Sequence, residues 1–124
     1  EVMKMTKFIN KGIPLKTLYK DGTFILLSIS EYKEYKDGKP TNNVAGQKYE
    51  VVDPLSYDKI VVKIPGQMTP LFPPEVLAGL RENGEKVLVE FVNAIDKLYL
   101  RRDGSSISVE DSFSAEDVLL VEQS

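Results

Sequence analysis

TFILLSISEYKEYKDGKPTNN, residues 23–43, joins two kinds of strand in one run. Phe24, Ile25, Leu26, Leu27 and Ile29 are β-formers with apolar side chains on both faces, as a strand entering a core requires. Beyond Ser30 the side chains turn polar, with Tyr32 and Tyr35 set among Lys33, Glu34 and Lys36. The whole therefore predicts one long strand, Thr23 to Lys36, that starts in a core and runs out into solvent. Asp37-Gly38-Lys39-Pro40 predicts a turn, followed by a loop to Gly46.

Outward from this stretch the same signals recur. Gln47 to Val52 predicts a strand, ended by Asp53-Pro54. Lys59 to Ile64 predicts another, stopped by Pro65-Gly66. The segment PGQMTPLFPPE, residues 65–75, holds four of the seven prolines and reads as a loop. Glu75 to Glu82 predicts a short helix, with Pro74 near its first turn and Asn83-Gly84 at its end. Strands are expected at Glu85–Asn93, Lys97–Arg102, Ser106–Glu110 and Val118–Val121, with one helical turn opening at Ser114. Many short strands, one central helix and close turns predict an all-β fold. The order suits a small Greek-key barrel of the oligonucleotide-binding type, which has a helix between its third and fourth strands. A sandwich or an SH3-like barrel fits the periodicity almost as well.

The 124 residues suffice for one domain. Residues 1–20 carry Lys4, Lys7, Lys11, Lys16 and Lys20 against one acid. They read either as a basic arm or as a poorly ordered leader, preceding a single barrel domain over 21–124. The net charge is −3, but it is unevenly spread. Residues 103–124 contain six of the 19 acids and no base, so residues 1–102 sum to +3. A mildly basic body with an acidic end can offer a local cationic surface despite its acidic total.

With neither cysteine nor histidine, the chain has no disulfide, thiolate site, Ser-His-Asp triad or His-based zinc site. No phosphate-loop, dinucleotide or calcium-loop spacing occurs. The expectation is a protein with no catalytic residues, no cofactor and no metal, and therefore not an enzyme. Paired carboxylates are the only formal exception. No apolar run is long enough for a membrane helix, and the lack of cysteine fits a cytoplasmic setting.

Two strands carry the strongest binding pattern. Strand alternation puts Lys97, Tyr99 and Arg101 on one face, with Leu98 and Leu100 expected toward the core. An aromatic ring between cations suits single-stranded nucleic acid, whose bases stack while its phosphates meet positive charge. The same face also suits an ordinary solvated strand with a cross-strand tyrosine. Lys59 and Lys63 flank Val61 in a similar way, a pattern that also protects strand edges. Tyr32, Lys33, Tyr35 and Lys36 form a third candidate group. A regular strand would put the two tyrosines on opposite faces, so this group reads first as a solvated hairpin arm and second as an arm closing over a nucleic-acid strand.

Two blocks also carry a family likeness: KYEVVDPLSYDKIVVKIPG, residues 48–66, and VEFVNAIDKLYLRRDG with FSAEDVLLVE, within residues 89–122. Together they resemble a family of small proteins encoded beside the transfer genes of integrative and conjugative elements in Gram-positive bacteria. The resemblance covers roughly residues 46–122. It implies a barrel similar to single-stranded-DNA-binding proteins. It also implies a non-catalytic accessory role in conjugative transfer or replication, with single-stranded DNA and a helicase or relaxase as partners. By position it places contacts near Lys59, Lys63, Lys97, Tyr99 and Arg101. A second reading is a protein-interaction module that uses the proline loop, Gln67 to Pro74, and the acidic end without touching nucleic acid.

Overall fold

The computed structural model describes residues 12–121. Its elements are β1 (Ile13–Pro14), α1 (Leu15–Leu18), β2 (Phe24–Lys36), β3 (Lys39–Val52), β4 (Lys59–Pro65), α2 (Pro74–Glu82), β5 (Leu88–Val92), β6 (Ile95–Asp103), β7 (Ser106–Ser114) and β8 (Asp117–Leu120). The fold is mainly β, as expected. The basic leader residues Lys4, Lys7 and Lys11, and Glu122 of the acidic end, lie outside the described residues.

The long strand expected from Thr23 is present as Phe24–Lys36, and a bulge explains its doubly apolar start. The β2–β3 register passes from Leu26↔Val51 to Ser28↔Glu50, leaving Leu27 unpaired. The extra residue lets Leu26 and Ile29 both reach the core. The Leu27 carbonyl accepts a 2.8 Å hydrogen bond from Arg81 Nη1 on α2. Leu77, one turn earlier on α2, is buried in the same core.

The hairpin differs from expectation beyond the turn. Asp37 and Gly38 both take positive φ, 55° and 76°, the geometry that lets two strands continue directly from a two-residue turn. Lys36 pairs with Lys39, and β3 starts at once. The loop expected up to Gly46 is therefore strand. Pro40, Thr41, Asn42 and Asn43 are turn-forming residues by type, but their partner strand carries them, irregularly, as far as Val44.

The ladder order is β1-β6-β7-β4-β3-β2-β5-β8, open at both ends. Neighbouring strands are antiparallel except β4 and β7, which pair in parallel at Val62↔Phe113 and Lys63↔Ser114. The step between β7 and β8 spans from one side of the sheet to the other. Ala115 N–H donates to the Lys63 carbonyl and Glu116 N–H to the Val92 carbonyl, each at 2.9 Å. One chain segment thus ties β4 to β5 without a ladder between them. The helical turn expected at Ser114 is absent because these backbone groups are used in this crossing.

The core gathers Phe24, Leu26, Ile29, Tyr49, Val51, Ile60, Val62, Ile64, Leu77, Val89 and Phe91. Phe91 packs edge-on to Tyr49 and tilted to Phe24, at 6.3 and 5.8 Å between ring centres. Residues 13–19 contribute too: Leu15 is buried and Tyr19 packs edge-on against Phe24. The proline loop is anchored to this core. Tyr49 Oη donates to Gln67 Oε1 at 2.6 Å and accepts from Leu71 N–H at 2.9 Å. Gln47 Nε2 donates to the Met68 carbonyl at 3.2 Å.

Candidate nucleic-acid interface

The alternation of β3 and β4 sorts their side chains cleanly. Gln47, Tyr49, Val51, Ile60, Val62 and Ile64 are buried, so Lys48, Glu50, Lys59, Val61 and Lys63 occupy the opposite face. Register then places Lys48 directly across from Lys63. Like charges in directly opposed positions destabilise a sheet. Among the described residues neither lysine has an ion-pair partner, whereas Lys59 meets Glu50 at 3.6 Å and Lys33 meets Glu31 at 3.9 Å. The Lys48–Lys63 pair is the concentrated positive charge on this face. Lys59, singled out from the sequence, is already partly neutralised.

Tyr32 completes the cluster. It pairs with Gly46 on β3, and its ring centre lies 5.2 Å from Lys63 Nζ, within cation–π range. A Cβ at Gly46 would sit 3.0 Å from Tyr32 Cε1 and would collide with the Ile64 carbonyl. The missing side chain is therefore what lets the ring lie against the sheet. Burial lifts the Tyr32 phenol above its ordinary pKa, so it remains neutral.

The β2–β3 register shifts between Tyr32 and Lys33 and again between Lys33 and Tyr35. Tyr32, Lys33 and Tyr35 all line one open depression of about 670 Å³, with Pro40, Lys48 and Lys63. Glu31 and Glu34 also line it and reduce its positive field. Lys36 lies beyond the depression, next to the turn, paired with Lys39.

Lys97, Tyr99 and Arg101 do share a face of β6, opposite Ser112, Glu110 and Ser108 of β7. Ser114 pairs with Lys63 on one side and Ile95 on the other. Alternation therefore places the Lys97-Tyr99-Arg101 face on the same side of the sheet as Lys48 and Lys63. The expectation that Leu98 and Leu100 face the core needs correction. Leu98 is half-buried, but Leu100 is 62% exposed, because β6 and β7 extend past the body as a two-stranded arm. Since β7 runs parallel to β4, the β6–β7 turn lies beyond the Lys59 end of β4, and the β2–β3 turn beyond its Pro65 end. The two arms thus bracket the Lys48–Lys63 face.

Lys48 is the residue that sequence reasoning missed. The alternation of Gln47–Val52 marks it as outward-facing, but only register reveals the lysine opposite. The described residues contain no group of three or more acidic side chains able to hold a metal ion. None of their helices is long and apolar enough to cross a membrane. Compared with protein-family models, curated proteins and solved structures, the chain finds no match.

Proposed function

We propose that this protein binds single-stranded DNA without catalysis, across the outer face of β3 and β4. The observation that carries the reading is Lys48 opposed to Lys63 beside the Tyr32 ring. Two lysines held together at a cost to the sheet are relieved by a phosphate, and a neighbouring aromatic ring accepts a base. The strand path supports the same reading. β2, β3, β4, helix α2, β5 and then a segment parallel to β4 follow the order of an oligonucleotide-binding barrel, with the β6–β7 hairpin inserted. Barrels of that type bind oligonucleotides on strands two and three and on the loops after strands one and four. Those positions correspond here to the β3–β4 face, the β2–β3 hairpin and the β6–β7 arm.

A role in mobile-element transfer or replication, with a helicase or relaxase as partner, is part of the proposal. It rests on the resemblance of residues 48–66 and 89–122 alone. The proline loop offers less to the alternative interaction module, since Gln67, the Met68 carbonyl and Leu71 are committed to the core.

The test is anisotropy of a labelled single-stranded oligonucleotide, titrated with protein and compared with duplex. Binding should favour the single strand. Tyr32→Ala and Tyr99→Ala should each cost about 1–3 kcal/mol if each ring stacks one base. Equal affinity for duplex, or indifference to both substitutions, would count against the proposed face. Absence of binding would move the reading to a protein-interaction module.

A further inference from the structure

A cavity of about 390 Å³ lies between α1, the start of β2 and β5, and shares no lining residue with the β3–β4 depression. Small-molecule sites occupy about 300–1,000 Å³. The ladder explains why the cavity is there. In an antiparallel sheet, successive residues of one strand address alternate neighbours. The Leu88 carbonyl accepts from Val121 N–H, just past β8, and the Val87 carbonyl from Leu26 N–H on β2. Phe91 therefore directs its own N–H and C=O toward the β2 side. Yet β2 pairs with β5 only at Phe24↔Val89 and Ile25↔Leu88. Opposite Phe91 the register would need Gly22, which lies outside the strand and turns at φ 73°. Among the described residues, neither backbone group of Phe91 has a partner on that side. Phe91 is only 9% exposed, and buried main-chain groups are almost always paired.

The walls around these two groups are fixed. Asn93 turns β5 into β6 at φ 51°, and its Nδ2 donates to Glu116 Oε2 at 2.7 Å. Leu15 N–H donates to the Ala94 carbonyl at 2.9 Å. Gly12 lies against Ile95 and Lys97, so the described chain reaches the cavity from the arm side. Tyr19, Phe24 and Phe91 supply aromatic lining, and Lys16 and Glu90, both exposed, line it with opposite charges.

We propose that this cavity binds a free amino acid with an apolar side chain. Phe91 N–H and the Lys16 ammonium suit its carboxylate, while the Phe91 carbonyl and the Glu90 carboxylate suit its ammonium. One residue's donor and acceptor meet another's, as in a strand pair. The ligand's side chain then lies against the aromatic lining. A purely apolar ligand would leave the Phe91 groups unpaired, and a phosphorylated one would bring like charge to Glu90. The site stands independently of the DNA reading.

The test is an amide NMR titration of the full chain with L-leucine and with L-phenylalanine. Saturable shifts around the cavity are expected. Solvent exchange of the Phe91 amide should slow, while that of Val89, paired with Phe24, should not change. Isocaproate lacks the ammonium and isoamylamine the carboxylate, so each should bind at least about tenfold more weakly than L-leucine. Glu90→Gln and Lys16→Gln, at exposed positions, should each weaken L-leucine binding about tenfold. Leu119→Trp, on the half-exposed wall, should block entry. Absence of saturable binding by either amino acid at millimolar concentration would overturn the proposal. So would equal binding of isocaproate, affinity indifferent to both charge changes, or a Phe91 amide that stays unprotected in the complex.

Discussion

Tyr49 shows how one side chain can be both core and clasp. Its ring has no exposed surface, yet its hydroxyl donates to Gln67 and accepts from Leu71 N–H. Burial raises the phenol pKa above its ordinary value, which keeps the proton needed for the Gln67 bond. Tyr49→Phe should therefore destabilise by about 1–3 kcal/mol, the cost of leaving buried polar partners unpaired. Urea denaturation would measure it, and an unchanged midpoint would mean that the loop is not held by this hydroxyl. The sequence showed that position 49 lies on a strand; it could not show that a loop some twenty residues later supplies the phenol's partners. Lys48 and Gly46 were obscure for the same reason. Alternation is local and visible in sequence, but the residue opposite belongs to another strand.

At the scale of elements, the β6–β7 arm is anchored by a pair of carboxyl groups. Asp96 is 2% exposed and accepts a 3.2 Å hydrogen bond from Ser112 N–H. Its carboxyl also shares a hydrogen bond with Asp111. Burial, then the hydrogen bond and charge of Asp111, raise the Asp96 pKa from 3.8 to about 6. Because the folded value exceeds the unfolded one, the native state binds the proton more tightly. The stability this gives is present below the ordinary value and is lost as pH climbs through about 6. Asp111→Asn removes the opposing charge, so its melting temperature should gain on wild type as pH rises through that window. Parallel melting curves across the window would show that the two carboxyls do not share a proton. The sequence made Asp96 and Asp111 look like ordinary strand acids, because their diagonal placement depends on the hairpin register. Strand and helix locations were more legible: α2 falls within a residue of expectation, since Pro74 and Asn83-Gly84 mark its ends by local backbone chemistry.

For the whole molecule, charge placement matters more than the total of −3. Glu110 stands across from Tyr99 on the same side of the sheet as Lys48 and Lys63, while Asp96 is buried near the arm's base. Composition could report the basic body and the acidic end. It could not report that the crossing at Ala115–Glu116 joins β4 to β5, or that two arms flank one cationic face. The most direct test of that face is the salt dependence of single-stranded DNA affinity for wild type and for Lys48→Gln/Lys63→Gln. Each phosphate-bound lysine contributes about 0.7 to the slope of log affinity against log salt on single strands. Wild type should bind in a salt-sensitive way, and the slope of the double variant should be smaller by about 1.4, two such contributions. Wild-type affinity that ignores salt, or an unchanged slope after both lysines are neutralised, would contradict it.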